Sequence, residues 1–412
     1  MAGLSFCMLT TFYPPFNFGG DGIDVQRTAR ALVARGHRVT VVHDVDAYQW
    51  LAGKTLPAQP IDQDGVEVIG LRSRLGVVSP LLTHQLGRPV VHGASIRSLV
   101  DERRFDVVVF NNISLVGGPG LLDVGGDALK VYVAHEHWLV CPTHVLWRFN
   151  REPCDERACV KCVLSYRRPP QLWRFTGALG RRLSQVDLFI ARSEFSRNKH
   201  REFGFPQPME VLPYFLPGRL PDSPEPPPAE RPHDRPYFLS VGRLTRIKGL
   251  GSLIPVFARY PDADLLVIGD GEELAPLQAL ASGVPNVRFL GRVANENLGR
   301  YYRHAIAAIM PSLGYETFGI VLIEAFRFGT PAIARRIGPF PEIVDEARGG
   351  LLFSNEIELI ASMTRLQQDP ALRESLAANA FRACRQHWSE DVVITRFLEL
   401  IERARAAKRP AR

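Results

Sequence analysis

Two pairs of charged residues in the second half of the chain have the types and spacing that anion and sugar chemistry needs. Arg243 and Lys248 stand five residues apart in Gly242-Arg243-Leu244-Thr245-Arg246-Ile247-Lys248-Gly249, a segment that follows the apolar run 237–241 and precedes a helix expected to begin near Leu250. In a turn after a strand, two such cations could neutralise a diphosphate whose charges are otherwise costly to bury. Departure of a diphosphate leaves negative charge, and each preorganised donor aimed at it lowers the barrier by about 3 kcal/mol. Read alone, the segment would be a solvated basic turn. Glu316 and Glu324 lie eight residues apart around a helix expected to begin at Phe318 or Gly319. Free N–H groups of Phe318, Gly319 and Ile320 at that helix start could bind phosphate, with one carboxylate on sugar hydroxyls and the other on a ribose. Glu324 sits between Ile323 and Ala325 in an otherwise apolar helix, and a buried carboxylate needs a partner.

The first half offers a second set. The opening strand runs into Tyr13-Pro14-Pro15-Phe16-Asn17-Phe18-Gly19-Gly20-Asp21-Gly22, with a helical pattern over 23–35 that Gly36 stops. Glycines between a strand and a helix let the backbone approach an anion closely. Gly19, Gly20 and Gly22 do not follow the G-x-G-x-x-G dinucleotide pattern, and a plain tight turn explains them equally well. Asp21 suits either a sugar hydroxyl or the helix N-cap. After the apolar run 131–133 come Ala134-His135-Glu136-His137-Trp138. The carboxyl end of a central strand faces the cleft in open α/β sheets, which makes His135 the candidate for touching a reacting sugar. A zinc site from His135 and His137 is disfavoured, because residues two apart in an extended segment point differently.

Four of the six cysteines, Cys141, Cys154, Cys159 and Cys162, fall within 22 residues as C-x12-C-x4-C-x2-C. Stable disulfides are rare in the cytosol, and four thiolates ending in C-x-x-C suit a structural, tetrahedral zinc. A loop of reduced cysteines and an iron–sulfur cluster remain open alternatives.

Elements able to position these residues are legible as apolar runs alternating with helical patterns, the signature of parallel sheets with crossover helices. Runs at 1–10, 39–42, 105–110, 131–133 and 187–191 are followed by a second series at 237–241, 264–268, 287–290, 307–310 and 331–334. Between the series, residues 206–236 hold eleven prolines, a composition expected to exclude regular secondary structure. The 412 residues exceed one ordinary core, so two Rossmann-like domains facing across a cleft are expected. The division is an N-terminal domain over 1–215 with a Cys-rich insertion at 141–162, a linker over 216–235, and a C-terminal domain over 236–388. A final amphipathic helix over 390–407 carries Val392, Val393, Phe397, Leu400 and Ile401 on one face. In two-domain folds of this kind such a helix crosses back to the first domain.

A net charge of +7 is too diffuse to imply nucleic acid but favours anionic ligands or membrane surfaces. Residues 147–182 carry nine Arg or Lys against three Asp or Glu, among Trp147, Tyr166, Trp173 and Phe175. That mixture suits an anionic or lipid-linked acceptor at a membrane interface, and equally a solvated helical face. With no run of 18 apolar residues and no basic leader before an apolar stretch, the expectation is a cytoplasmic protein in peripheral contact with the inner membrane face.

Taken together, these residues resemble the GT-B-fold retaining glycosyltransferases of the large family that includes sucrose synthases and bacterial mannosyltransferases. The resemblance rests on Arg243 and Lys248 in Val241-Gly242-Arg243, on Glu316 and Glu324 with seven residues between, and on Gly329-Thr330-Pro331. It implies that Arg243 and Lys248 bind the donor diphosphate, Glu316 the 3- and 4-hydroxyls of the donor sugar, and Glu324 the ribose. Backbone groups of Phe318, Gly319 and Ile320 would add to phosphate and sugar binding. Phe289-Leu290-Gly291-Arg292-Val293 resembles the base-contacting loop, and Gly269-Asp270-Gly271 the loop that ends the second strand of that domain. His135 matches the histidine that contacts the transferred sugar, and Gly20 the glycine near the β-phosphate; Gly19, Asp21 and Gly242 lie in the same donor-binding loops. The implied reaction moves a hexose from a UDP- or GDP-sugar to a saccharide, lipid-linked or small-molecule acceptor, with retention and with no metal in catalysis. Asp262-Ala263-Asp264 matches the D-x-D metal pattern but precedes a strand at its amino end, which makes it a turn. No carboxylate nucleophile stands out, so departure and attack on one face, with the diphosphate oxygen as base, is expected. A nucleotide-sugar epimerase of the same fold and a non-catalytic nucleotide-sugar-binding protein are the alternative readings.

Overall fold

The computed structural model describes residues 3–53, 64–226, 228 and 230–408. Its first sheet contains β1 (Ser5–Leu9), β2 (Arg38–Asp44), β3 (Glu67–Leu71), β4 (Val107–Phe110) and β5 (Leu129–Ala134). A small antiparallel hairpin follows, β6 (Trp147–Arg148) with β7 (Glu152–Pro153), before β8 (Leu188–Ala191) and β9 (Glu210–Val211) complete that sheet. The second sheet contains β10 (Tyr237–Val241), β11 (Asp264–Ile268), β12 (Val287–Gly291), β13 (Ala308–Met310), β14 (Ala332–Arg335) and β15 (Gly350–Phe353). The orders are β3-β2-β1-β4-β5-β8-β9 and β12-β11-β10-β13-β14-β15, and every pairing within both large sheets is parallel. Each domain is thus doubly wound, as the GT-B expectation requires.

Parallel strands covered on both faces must be apolar throughout, which is why they read as runs rather than alternations. Phe6 and Met8 of β1 pack into one core, whereas Cys7 and Leu9 pack into another on the opposite face. Phe238 and Leu239 of β10 divide in the same way. The helix Glu390–Lys408 sends Val393, Ile394, Phe397, Leu400 and Ile401 into the Phe6 core of the first domain. Arg35 clasps its start through Glu390 and Asp391.

Three local expectations need correction. β9 is a two-residue edge strand inside the proline-rich segment, seated between Pro208 and Pro213 where neither ring removes a ladder N–H. Helix α1 spans Gly20–Ala34, so it begins three residues before the expected start and contains Asp21 in its first turn. The helix expected near Leu250 is instead two 3-10 turns, Arg246–Lys248 and Leu250–Ser252, followed by the short helix Ile254–Phe257. Gly249 between the turns has φ +71, a left-handed value that a continuous helix cannot hold.

Strand order reverses between β1 and β4 in the first sheet and between β10 and β13 in the second. Ligands of open α/β sheets sit outside the carboxyl ends of the strands at such switch points. The loops carrying Gly19, Asn111, Arg243 and Glu316 all leave those ends.

Candidate active site

β10 ends at Val241 and the chain turns through Gly242, whose φ of +152 suits glycine. Gly269, leaving β11 at φ +143, lies so close that a Cβ on it would collide with the Gly242 carbonyl. This contact lets Leu244 N–H donate to Asp270 O at 2.9 Å, holding the Arg243 turn against the loop after β11. Gly269→Ala is therefore expected to destabilise by about 2–5 kcal/mol, from backbone strain plus overpacking. Urea unfolding that shows a loss under about 0.5 kcal/mol would contradict this packing.

Lys248 Nζ lies 2.5 Å from Glu316 Oε1, which also accepts from Ser312 Oγ at 3.0 Å. A cavity of about 50 Å³ at this spot is lined by Gly242, Arg243, Lys248, Ser312, Glu316 and Phe340, among others. A larger hollow of about 1010 Å³ runs along the helix Glu390–Lys408 beside edge strand β9, and none of the candidate residues lines it. The helix after Glu316 spans Ile320–Arg327 behind Gly319, which is left-handed at φ +105. Phe318 is buried between Tyr214 and Trp388, so only its backbone is available to a ligand.

The N-terminal domain meets this loop across the cleft. A Cβ on Gly19 would stand 2.8 Å from Arg243 Nη2, so the glycine leaves room for the guanidinium. Gly20 begins α1, and Asp21 one residue on accepts from Asn112 Nδ2 at 2.9 Å. Gly19, not Asp21, occupies the N-cap position, so the capping reading of Asp21 does not hold. Burial holds the Asp21 carboxyl above its ordinary range, with Glu136 adding to the effect. Glu324 faces Arg27 of α1, with the ions 3.8 Å apart, and burial likewise raises its carboxyl. Arg27 Nη1 is buried without a hydrogen-bond partner. Thr317 Oγ1 donates to the His135 carbonyl at 3.0 Å, and Ser193 Oγ donates to the Thr317 carbonyl at 2.7 Å.

His135 leaves β5 as expected, but its ring is enclosed, with a side-chain exposure of 0%. Nε2 lies 3.0 Å from Asn111 Oδ1, so it carries the proton and Nδ1 accepts from Tyr214 OH at 3.1 Å. Burial, with Arg192 nearby, keeps the imidazole well below its ordinary pKa and hence neutral. Beneath it, Arg192 pairs with Asp24 of α1 in a fully buried contact, and the guanidinium stacks 4.5 Å above the Tyr214 ring. The face His135 offers the cleft is its backbone.

Arg292 follows β12, is exposed, and lies 3.4 Å from Asp270, so the segment expected to contact a base stands beside the loop that ends β11. Val293 packs against the second-domain core. Asp264 of the D-x-D pattern begins β11 and accepts from His233 at 2.7 Å, at the strand end remote from the site. Cys141, Cys154, Cys159 and Cys162 are unpaired thiols lining one small cavity of about 10 Å³. Among the described residues, Asp44, Asp46 and His92 form a group whose ligating atoms all lie within 4.8 Å of one another.

Sequence reasoning missed Asn111, Asn112, Asp24, Arg27, Arg192 and Tyr214. Asn111 and Arg192 each follow the last residue of a buried strand, β4 and β8. The strand-end rule that selected His135 would have found both. Asp24 and Arg27 sit on one flank of α1 with no local signal, and only the second domain explains Arg27.

A sequence model for glycosyl transferases group 1 matches residues 223–383, and one for glycosyltransferase family 4 matches residues 18–216. The lipopolysaccharide core biosynthesis glycosyltransferase LpsD of Rhizobium meliloti is 30% identical over 220 residues, covering 51% of this chain and 62% of the relative. A GDP-mannose-dependent monoacylated alpha-(1-6)-phosphatidylinositol monomannoside mannosyltransferase of Corynebacterium glutamicum is 31% identical over 179 residues, 40% of this chain and 47% of the relative. The matches thus span less than two thirds of these relatives' length. Sucrose-phosphate synthase from Thermosynechococcus elongatus superposes with a TM-score of 0.73 at 20% identity, covering 98% of this chain and 100% of that one. HepE of Anabaena, in complex with UDP, gives a TM-score of 0.64 at 17% identity over 98% and 100%. Those two superpositions speak for the fold. With one family's signature on each domain and the candidate residues gathered at both switch points, the chain belongs to the group 1, family 4 glycosyltransferases of GT-B fold.

Proposed function

We propose that the protein transfers a hexose from a UDP- or GDP-sugar to a saccharide, lipid-linked or small-molecule acceptor, with retention of configuration and without a catalytic metal. The observation that carries this reading is the Lys248–Glu316 pair at the β10/β13 switch point, with Arg243 reaching to Gly19 of the other domain. A donor entering there exchanges two internal ion pairs, Lys248 with Glu316 and Arg27 with Glu324, for its own contacts. Lys248 and Arg243 take the diphosphate, and Glu316 takes sugar hydroxyls. The N-terminal amides of the helix Ile320–Arg327 add positive potential at the phosphate. Glu324 releases Arg27 and accepts from ribose hydroxyls.

The cations carry the charge that develops on the leaving diphosphate. With His135 neutral and enclosed, its carbonyl and that of neighbouring backbone orient the sugar, and the departing oxygen takes the acceptor proton. Relatives support the class: HepE has been crystallised with UDP and glucose, and TarM with UDP and alpha-GlcNAc-glycerol. The Corynebacterium relative is GDP-mannose-dependent and acts on a phosphatidylinositol mannoside.

No helix among the described residues is long and apolar enough to cross a membrane. Leu164, Leu172 and Phe175 are exposed near Arg167, Arg168 and Arg181, a mixture suited to peripheral contact with an anionic, cytoplasm-facing membrane surface. Incubation with UDP- and GDP-hexoses, with and without lipid and glycan acceptors, tests the reading. Acceptor-dependent release of nucleoside diphosphate is expected. Release of no nucleotide from any donor, or isomerisation of the donor sugar with no transfer, would overturn it.

A further inference from the structure

We propose that Cys141, Cys154, Cys159 and Cys162 bind one structural zinc ion, and that this metal braces the donor-site loop ahead of Glu316. The four side chains reach one spot from three kinds of backbone. Cys141 lies in the loop after β5, Cys154 immediately follows the β6–β7 hairpin, and Cys159 and Cys162 occupy the first turn of the helix Cys159–Ser165. A pair three residues apart on a helix shares one face, so both sulfurs of the C-x-x-C point the same way. All four residues line one cavity of about 10 Å³, roughly the space of a single atom.

These thiols meet only weak partners: Cys141 Sγ lies 3.2 Å from Thr143 Oγ1, Cys154 Sγ donates to the Glu156 carbonyl at 3.5 Å, and Cys162 Sγ donates to the Trp147 carbonyl at 4.0 Å. None is in a disulfide, and Cys141, Cys154 and Cys162 are buried. Leu146, Phe203 and the partly buried Tyr315 shield Cys141 and Cys154 from solvent. Phe149 N–H donates to Cys162 Sγ at 3.3 Å, the contact by which backbone amides stabilise a thiolate ligand. No three of the sulfurs lie within 4.8 Å of one another, whereas a zinc tetrahedron with 2.3 Å bonds needs about 3.8 Å between sulfurs. Ligation therefore contracts the cluster, with each thiol losing its proton as it binds.

The contraction matters because this module touches the other domain. Tyr315 OH donates to Asp155 Oδ1 at 2.7 Å, one residue beyond Cys154. A Cβ on Gly314 would stand 2.9 Å from Trp147 of β6, so the hairpin and the 313–316 loop are in direct contact. Lys199 caps the Tyr315 ring at 4.7 Å and lies 3.7 Å from Asp155. Glu316 is the next residue along. This inference extends the transferase reading only in giving the braced loop a use. The metal site itself does not depend on it.

Full-length protein purified without chelator is analysed for metals and acid-labile sulfide, then titrated with a mercurial while a dye reports released zinc. About one zinc per chain, released as four thiols react, is expected. The Cys159→Ser/Cys162→Ser variant is expected to lose most of it, and Cys384→Ser to keep it. Hydrogen exchange over 313–316, with and without chelator, reads the brace and is expected to accelerate severalfold when zinc leaves. Iron with labile sulfide, a disulfide, no metal, or zinc retained by the double variant would overturn the site. Unchanged exchange would overturn the brace. Neither readout requires donor or acceptor, so failure of the transferase assay and failure of the zinc proposal are separate results.

Discussion

Replacing Lys248 with alanine is expected to lower kcat/KM for the sugar nucleotide by about two to three orders of magnitude, the usual effect of removing a preorganised donor from a developing anion. Lys248 Nζ is the cation nearest Glu316, at 2.5 Å, and is partly open to the cleft. Its ion pair is screened enough that its loss should cost at most about 1 kcal/mol of stability. Activity and stability therefore separate in this variant. Lys248→Arg should recover part of the loss, since guanidinium keeps the charge but replaces a compact ammonium by a planar fork. Steady-state kinetics beside urea melts make the distinction. Activity within about threefold of the parent would remove Lys248 from the chemistry.

The second large effect concerns stability. Asp24 and Arg192 are 1% and 6% exposed at the side chain, and their contact joins α1 to the end of β8. Breaking a buried pair by deleting one partner leaves the other charge uncompensated, at a cost of about 3–5 kcal/mol. Asp24→Ala should thus lower Tm by roughly 10 °C, given the few degrees per kcal/mol of a domain this size. Because Arg192 also stacks on Tyr214, and Tyr214 donates to His135, the variant should loosen the His135 segment as well. A thermal melt within about 2 °C of the parent would show that Arg192 finds another partner.

Much of the fold was legible because parallel strands are buried on both faces and announce themselves as apolar runs. β3, interrupted by Gly70, and β15 are edge strands that are only half-buried over most of their length, so neither stood out as a buried apolar run. Strand order and register were not readable, since they depend on pairings such as Leu9 with Phe110 that join distant segments. The four charged candidates of the second domain were legible for a local reason. Arg243, Lys248 and Glu316 fall in the loops that follow β10 and β13, and Glu324 stands in the apolar helix that comes next, so sequence position alone places them near a site. The ion pairs these residues form were hidden. Lys248 holds Glu316, and Arg27 holds Glu324 from 297 positions away in the sequence. His135 shows the converse: its strand-end location is right, yet Asn111 and Tyr214 occupy both ring nitrogens, which no local pattern could reveal.

The central claim is that the facing switch points form a nucleoside-diphosphate site, and direct titration of the protein with UDP, GDP and ADP in a calorimeter, free of any acceptor, tests it. Saturable binding of at least one of them, abolished by competition with the matching sugar nucleotide, is the predicted result. Heats indistinguishable from dilution for all three, with folded protein confirmed by its melt, would contradict the account.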